Sequence, residues 1–411
     1  MKILWVKAGG LVPPDIGGKI RSYHISTQLA RRHEVTLFTF YSAFSDDPHH
    51  ELGQVFHRSI CMPLRIAERG TVGDYLNLAR GITSRLPYSV VKYCRPEVTA
   101  RLQEVLRSDS YDVLVCDFVL PAAIIPEDLP CPLVVFTHNV EAMIWKRHYQ
   151  LAKNPLWKLV CLQEHRSMER FERRELERAD RVLAVSETDR DTFARYLPSS
   201  KIDIIPTGVN VEFFLPGEQS DEAPAEIVFT GSMDWMPNEE GILFFLEEVL
   251  PLVRKQIPTA TLTIAGRNPS QHLQEVAARI DGVQVTGRVA DIRPYIRRAA
   301  VYVVPLRIGS GTRLKIFEAM AMGKAIVSTT LGAEGLPVTS GLDIVLANDP
   351  ASFAQSIARL LQDRSERRRL GLAARALVEE RYSWRSVASI FEAVLDSVVG
   401  RAANRSTIAV G

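Results

Sequence analysis

The chain has 411 residues, more than one compact core usually holds, which points to two domains. Its 50 Lys and Arg against 48 Asp and Glu leave a net charge of +2, which argues against a dedicated nucleic-acid binder. No apolar run approaches the roughly 20 residues that cross a bilayer, and the five cysteines, Cys61, Cys94, Cys116, Cys131 and Cys161, are scattered and lack a CxxC pair, so neither a disulfide framework nor a zinc site is expected and a reducing cytoplasm fits.

The opening MKILWVKAGG carries Lys2 and Lys7 around too short an apolar core for a signal peptide and reads as a first buried strand, Ile3–Val6. The loop after it is long and reaches Gly17 and Gly18 before a helix over about 19–32. It lacks the GxGxxG spacing of a dinucleotide fold, which disfavours an NAD enzyme; a flexible substrate loop and a plain glycine turn explain it equally well. Further strands are expected at Val35–Phe40, Val113–Cys116, Leu133–Phe136, Arg181–Val185 and Ile202–Ile205. His49, His50 and Glu51 sit in a polar loop without a fourth ligand, which speaks against a metal site there. The segment VVFTHNVEAMIW puts His138 and Glu141 just beyond a buried strand, where α/β sites form. Histidine is a natural proton carrier or hydrogen-bond donor near neutral pH; a loop histidine satisfied by backbone is the alternative. A helix over 156–178 mixes Glu and Arg as a solvated face does, while Trp157, Leu159 and Val160 give it the makings of a peripheral membrane contact. Asp189-Arg190-Asp191 has the DxD spacing that elsewhere holds a divalent cation, but it follows Ser186 at a helix start and reads as a cap.

Residues 207–225, TGVNVEFFLPGEQSDEAPA, hold Gly, Pro and acidic residues without an amphipathic period and mark the boundary between a domain over 1–206 and one over 207–383. Strands follow at Glu226–Phe229, Thr261–Ile264, Val283–Val285, Val301–Val304, Ala325–Ser328 and Asp343–Leu346, with helices around 239–255, 312–322, 350–362 and 366–380. Strands alternating with helices signal βαβ units, so each half is expected to be an α/β, doubly wound, Rossmann-like sheet. Ligands bind beyond the carboxyl ends of such strands, and two domains facing each other would place the site in the cleft between them.

Three places in the second half offer backbone to a ligand. Gly231 and Ser232 follow a strand and precede a helix that starts near Asn238. Gly287, Arg288 and Val289 end another strand, in a segment able to pair with a nucleobase edge, while Arg297 and Arg298 read as a solvated helix face. The stretch PLRIGSGTRLKIFEAMAMGKAIVSTTLGAEGL sets Gly309, Ser310, Gly311 and Thr312 between an apolar strand and the helix that carries Arg313, Lys315 and Glu318. Thr312 is a good N-cap, and the glycines let a ligand approach. A helix start presents unpaired N–H groups and a positive dipole end, which attract phosphate. Glu318 lies six residues past the cap, roughly 9 Å along the axis. A diphosphate at the helix start would meet Arg313 and Lys315, and a ribose linked to it would reach Glu318. On spacing alone, an ordinary buried helix with a solvated Arg–Lys–Glu edge explains the pattern as well.

The stretch GSGTRLKIFEAMAMGKAIVSTTLGAEGL resembles the donor-nucleotide segment of the GT4-like glycosyltransferases, which have the two-domain GT-B fold. The resemblance runs through nearly the whole chain, in GGKIRSYHISTQLARRHEV, FTHNVE, RADRVLAVSETDR, IIPTGVNVEFF, FTGSMDWMPN and VTGRVADIRPY, and is nearest to bacterial exopolysaccharide-type sugar transferases. It implies a retaining glycosyltransferase in glycan or exopolysaccharide biosynthesis that moves a sugar from a nucleoside-diphosphate sugar, with no cofactor and no required metal. The implied acceptor is a small molecule, a glycan or a lipid-linked hydroxyl, and the implied location is cytoplasmic or peripheral at the inner membrane face. Carried over by residue, the resemblance implies that Glu318 binds the donor ribose and that Gly311, Thr312 and the helix start hold the diphosphate. Gly287 to Val289 would flank the base, Gly17 and Gly18 would contact the diphosphate and close over the donor, and His138 would stand near the transferred sugar. A final helix over about 384–400 would pack back on the first domain.

Two departures from the family pattern stand out. Many relatives have two glutamates with seven residues between them; here the second is Glu318 and position 310 is Ser. Many also place an Arg and a Lys after the FTG-like strand, where this chain has Ser232, Met233 and Asn238. Arg313 and Lys315 are expected to supply that positive charge and so to act in catalysis. A nucleotide-sugar epimerase on the same scaffold and a non-catalytic nucleotide-sugar-binding subunit are the competing readings.

Overall fold

The computed structural model describes residues 1–14, 17–43, 48–67, 70–84, 86–93, 95–218, 221–308 and 314–410, with side chains at all of these except 48, 75, 82 and 403–410. The chain forms two units, Met1–Pro206 with Val387–Gly411, and Thr207–Ser386.

The first unit holds seven strands: β1 (Lys2–Ala8), β2 (Glu34–Ser42), β3 (Arg58–Leu64), β4 (Val113–Asp117), β5 (Leu133–Phe136), β6 (Arg181–Ala184) and β7 (Ile202–Ile204). They pair in parallel in the order β3-β2-β1-β4-β5-β6-β7. Ile3 to Val6 and Val113 to Cys116 are wholly buried, as strands of a parallel sheet covered on both faces must be. The helices are α1 (Gly17–Ala30), α2 (Val72–Ser84), α3 (Tyr88–Tyr93), α4 (Pro96–Ser108), α5 (Glu141–Leu151), α6 (Pro155–Arg178) and α7 (Glu187–Phe193). Strand β3 is absent from the sequence expectations. It is an edge strand, only part buried, and Pro63 interrupts its apolar run.

The second unit holds β8 (Ala223–Thr230), β9 (Thr261–Ala265), β10 (Val283–Val285), β11 (Ala299–Val304), β12 (Ala325–Ser328) and β13 (Val345–Leu346) in the parallel order β10-β9-β8-β11-β12-β13. β8 begins at Ala223, inside the segment read as linker. The helices are α8 (Met236–Phe244), α9 (Leu250–Gln256), α10 (Gln271–Ala278), α11 (Arg293–Arg298), α12 (Leu314–Ala321), α13 (Pro350–Gln362), α14 (Arg364–Leu377) and α15 (Trp384–Val410). The single helix expected over 239–255 is instead α8 and α9 joined by a wide turn, Phe245–Val249. Pro251 lies just past the turn and has no N–H to return to the carbonyl of Glu247.

From Val387 onward α15 belongs to the first unit. Its Phe391 ring lies 5.4 Å from that of Trp5 and 5.2 Å from that of Phe136, and Glu392 meets His33 at 2.6 Å and Arg32 at 2.8 Å. In each unit the strand order reverses once, between β1 and β4 and between β8 and β11. At such a switch point the connections leave toward opposite faces, which opens a crevice beyond the carboxyl ends of the strands. Among the described residues no helix is long and apolar enough to cross a membrane.

Candidate functional site

In the second unit, three chain segments meet beyond the ends of β8 and β9. Gly266 follows β9, and a Cβ there would collide with the carbonyl oxygen of Gly231. A Cβ on Gly231 would stand 2.6 Å from Lys315 Nζ and 2.7 Å from Asn238 Nδ2. Glycine at both places lets the loops close up. Lys315 reaches from the first turn of α12 to Asn238, where Nζ donates to Oδ1 at 2.6 Å and lies 4.3 Å from the centre of the Phe229 ring. Asn238 Nδ2 donates to the carbonyl of Ser232 at 2.8 Å, and Arg267 Nε donates to Ser232 Oγ at 2.7 Å. Asp234 closes the group, accepting from Ser232 Oγ and from Asn268 Nδ2. The turn after β8 thus carries no cation of its own and receives Lys315 from α12 and Arg267 from the loop after β9.

Glu318 lies one turn beyond Lys315 and is half-buried. Burial lifts its carboxyl to about 7, against the pull of Lys315. The buried Tyr302 hydroxyl bonds Thr230 Oγ1 beneath, its phenol pushed up by burial. Gly287 sits past β10 with φ of +67°, a conformation that suits glycine, and nothing lies within 4 Å of its missing Cβ. Arg288 is exposed and Val289 half-buried. Ser310, Gly311, Thr312 and Arg313 lie outside the described residues, as does the expected cap at Thr312. Arg298 is exposed, as a solvated face has it, and its guanidinium also pairs at 2.6 Å with the buried Glu226, a carboxylate that accepts from Thr263 Oγ1 at 2.9 Å, because a buried charge needs a partner.

In the first unit, a buried polar cluster at the strand ends is built around Asp117, the last residue of β4. Its Oδ1 stands 2.7 Å from His138 Nε2, and its Oδ2 accepts from Trp5 Nε1 at 2.8 Å and faces Lys7 Nζ at 3.5 Å. All four side chains are buried. Burial works to raise the Asp117 carboxyl, but Lys7 and the His138 hydrogen bond outweigh it and hold the group at about 2. Burial lowers His138 to about 4, so its imidazole is neutral at pH 7, and lowers the Lys7 ammonium against the attraction of Asp117. His138 therefore has a carboxylate partner, in place of the backbone partner that was its alternative. Gly17 and Gly18 are the first residues of α1, past the loop itself. A Cβ on Gly18 would come 2.5 Å from the Phe118 ring, so glycine is what lets α1 approach.

Glu141 opens α5, and its amide donates at 2.9 Å to Glu172, whose carboxyl burial pushes up to about 8. Ser186 caps α7 and the DxD segment lies within the helix: the amide of Asp189, in the first turn, donates to Ser186 Oγ at 3.1 Å, and Arg190 pairs with Asp191 at 2.8 Å. His49 is not in an open polar loop. It is buried, stacks on Tyr41 at 3.8 Å and accepts from the amide of Leu11 at 3.1 Å. Among the described residues no group of three or more His, Cys, Asp or Glu side chains is placed to hold a metal ion. Along α6 the acids are not all solvated. Glu164, Glu172 and Glu175 are buried, and Glu164 accepts from the amide of Tyr88 at 2.8 Å. Around the turn from α5 into α6, Leu151 (79 %), Leu156 (77 %) and Leu159 (65 %) are exposed, with Trp157 beside them.

Sequence reasoning missed Lys7, Asp117, Phe118, Gly266 and Arg267. A signal was present: Lys7 and Asp117 are charges inside or at the end of apolar strands, and TIAGR repeats the strand-then-glycine pattern of VFTGS.

The family model described as Glycosyltransferase Family 4 matches residues 17–213, and that described as Glycosyl transferases group 1 matches residues 224–363. An uncharacterized 44.6 kDa protein in the cps region of Klebsiella pneumoniae is 23% identical over 406 residues, 95% of this chain and 99% of that protein. The phosphatidyl-myo-inositol mannosyltransferase of Mycobacterium tuberculosis is 29% identical over 233 residues; the match takes in 54% of this chain and 60% of that enzyme, under two thirds of its length. Sucrose-phosphate synthase from Thermosynechococcus elongatus superposes with a TM-score of 0.65 at 19% identity, over 97% of this chain and 99% of that one. Anabaena HepE in complex with UDP superposes with a TM-score of 0.61 at 15% identity, over 97% of this chain and 100% of that one. Family matches through both units and two doubly wound parallel sheets shared with these full-length neighbours agree: the chain belongs to the GT4-like glycosyltransferases and has the GT-B fold.

Proposed function

We propose that this glycosyltransferase moves a sugar from a nucleoside-diphosphate sugar to a hydroxyl acceptor, with retention at the anomeric carbon, in the synthesis of a glycan or glycoconjugate. The observation that carries the reading is the Lys315 ammonium delivered to the turn after β8, one helical turn from the Glu318 carboxyl. Departure of a nucleoside diphosphate builds negative charge on its phosphate, and a preorganised cation beside glycine amides is suited to meet it. In this reading Lys315 and Arg313 counter that charge. Gly231 and Ser232, with Ser310, Gly311 and Thr312 ahead of α12, offer backbone or hydroxyl hydrogen bonds to the phosphates. Glu318 accepts from ribose hydroxyls, and Gly287, Arg288 and Val289 flank the base. Gly17 and Gly18 open α1 against the phosphates, and His138 meets the transferred sugar. With cationic side chains and helix amides in that role, no metal or cofactor is required. Anabaena HepE, a structural neighbour, binds UDP and UDP-glucose, which supports a nucleotide-sugar donor.

The acceptor side of the proposal is a glycan or lipid-linked hydroxyl at a membrane surface. Leu151, Leu156, Leu159 and Trp157, with Lys153 and Lys158 exposed among them, make a basic and apolar patch suited to anionic lipid. One relative, matching about half of this chain, is a phosphatidyl-myo-inositol mannosyltransferase, which supports a lipid acceptor.

A thermal-shift panel of nucleoside diphosphates and nucleotide sugars on wild type and Glu318→Ala tests the donor assignment. A ligand at a hundred times its Kd stabilises the native state by about 2.7 kcal/mol. One nucleotide should raise the melting temperature of wild type and not of the variant; no shift with any compound would overturn the reading.

A further inference from the structure

Two cations reach the turn after β8 from outside it, and they stand at the two ends of one hydrogen-bonded row of residues. Lys315 Nζ donates to Asn238 Oδ1 at 2.6 Å, Asn238 Nδ2 donates to the Ser232 carbonyl at 2.8 Å, and Ser232 Oγ accepts from Arg267 Nε at 2.7 Å. Lys315 comes from α12 and Arg267 from the loop after β9. The backbone fixes the place of Arg267. The amide of Gly231 donates to the carbonyl of Ala265 at 3.0 Å and that of Met233 to the carbonyl of Arg267 at 2.9 Å, while the missing side chain of Gly266 lets the two loops touch. Asn268, next in the chain, takes φ of +54°, a left-handed conformation that Asn tolerates, and its Nδ2 donates to Asp234 at 2.9 Å.

Stability does not account for Arg267. Its guanidinium lies 4.0 Å from Asp234 with both side chains well exposed (61 % and 47 %), and exposed pairs of that kind contribute little. Among the described residues only its Nε is engaged, and neither Nη atom has a hydrogen-bond partner. An Arg anchored through Nε with both Nη atoms open presents the planar fork that matches phosphate oxygens, while Lys315 at the other end of the row presents a point charge. A nucleoside diphosphate brings two adjoining phosphates and a monophosphate only one, so two cations spaced along one turn tell them apart. Asp234 is the local competitor: Ser232 and Asn268 hold its carboxyl below the usual range, and its charge faces the guanidinium.

We propose that Arg267 binds the donor diphosphate as the second cation of the β8 turn, that Asp234 holds its guanidinium until the nucleotide takes it over, and that Arg267 and Lys315 together set a preference for a diphosphate over a monophosphate. The binding moves no proton and breaks no bond: the guanidinium exchanges a carboxylate neighbour for phosphate oxygens. Release of the diphosphate product returns Arg267 to Asp234. The proposal rests on the nucleotide-sugar reading of this site and adds to it a residue from a different loop.

The test is isothermal titration of the full chain with UDP and UMP, GDP and GMP, and ADP and AMP. In Arg267→Gln the Kd of the diphosphate that wild type binds should rise about 10–100-fold, the worth of a charge-assisted hydrogen bond, while the matching monophosphate loses far less, so the preference between them collapses. Without nucleotide the variant should melt with wild type, since only an exposed pair is lost. Arg267→Lys keeps the charge without the fork and should fall between the two. Asp234→Asn keeps an acceptor and removes the competing charge, so the diphosphate should bind about 2–5-fold tighter. A diphosphate that binds wild type and Arg267→Gln alike overturns the proposal, and so does a monophosphate that loses as much as the diphosphate; weaker binding by Asp234→Asn overturns the part given to Asp234. If Arg267→Gln fails to fold, Arg267→Lys and Asp234→Asn decide. Failure of wild type to bind any of the six nucleotides overturns the donor reading and this proposal together, whereas binding lost in Lys315→Met and kept in Arg267→Gln overturns the role of Arg267 alone.

Discussion

Replacing Lys315 with Met removes one charge and little volume. The ammonium stands 2.6 Å from Asn238 Oδ1 and as close to where a Gly231 Cβ would be, so a phosphate oxygen seated on the Gly231 turn would lie within about 4 Å of it. Two unit charges at that distance interact by about 4 kcal/mol at the effective dielectric typical of protein sites. Removal of a single charge-stabilising group from an enzyme costs about 2.7–4 kcal/mol of barrier, or 10²–10³-fold in rate. We therefore expect Lys315→Met to lower kcat/KM about 10²–10³-fold, most of it in kcat, because the diphosphate charge grows as the bond breaks. Lys315→Arg should recover part of the loss. The fold should survive, since a charge-assisted hydrogen bond such as Lys315–Asn238 is worth about 1.5–3 kcal/mol, less than the stability of an ordinary domain. The assay is the initial rate of nucleoside diphosphate release, with a melting curve for each variant. A folded Lys315→Met enzyme with kcat/KM within about twofold of wild type would refute the reasoning, because a cation this close to the leaving group cannot be energetically silent.

Three further outcomes follow from the same structure. Burial lifts the Glu318 carboxyl to about 7, so diphosphate affinity should rise as pH goes from 6 to 8 and the carboxylate forms; a titration of Glu318→Gln should be flat over that range. Glu172 is held at about 8 by burial, so the folded chain keeps a proton that the unfolded chain has lost, and stability falls as pH rises from about 4.5 to 8. Glu172→Gln keeps an acceptor for the α5 amides and should melt a few degrees above wild type at pH 8.5, with the gap closing by pH 5; a constant gap would contradict this. Gly266→Ala pushes a Cβ into the carbonyl of Gly231 and should cost about 1–3 kcal/mol and the nucleotide-induced melting shift; an unchanged melting curve and shift would show that the two turns are not locked together.

What the sequence by itself determined is the local grammar. Strands buried on both faces read as largely unbroken apolar runs, so Leu133–Phe136 and Ala325–Ser328 match their expected bounds, and βαβ alternation alone called for parallel sheets. Lys315 and Glu318 were legible as a pair because three residues in a helix are one turn. The part-buried edge strand β3 was not, since Pro63 breaks its pattern. Only the tertiary structure decided who meets whom across the sheet. Lys7 and Trp5 reach Asp117 because β1 lies beside β4, more than a hundred residues away in the chain, and His138 joins them because β5 is the next strand over. Lys315 lies 77 residues from Asn238 and meets it only because β8 and β11 are neighbours. A buried charge says in the sequence that it needs a partner; strand order, which is settled by packing distant helices and strands at once, says which partner it gets.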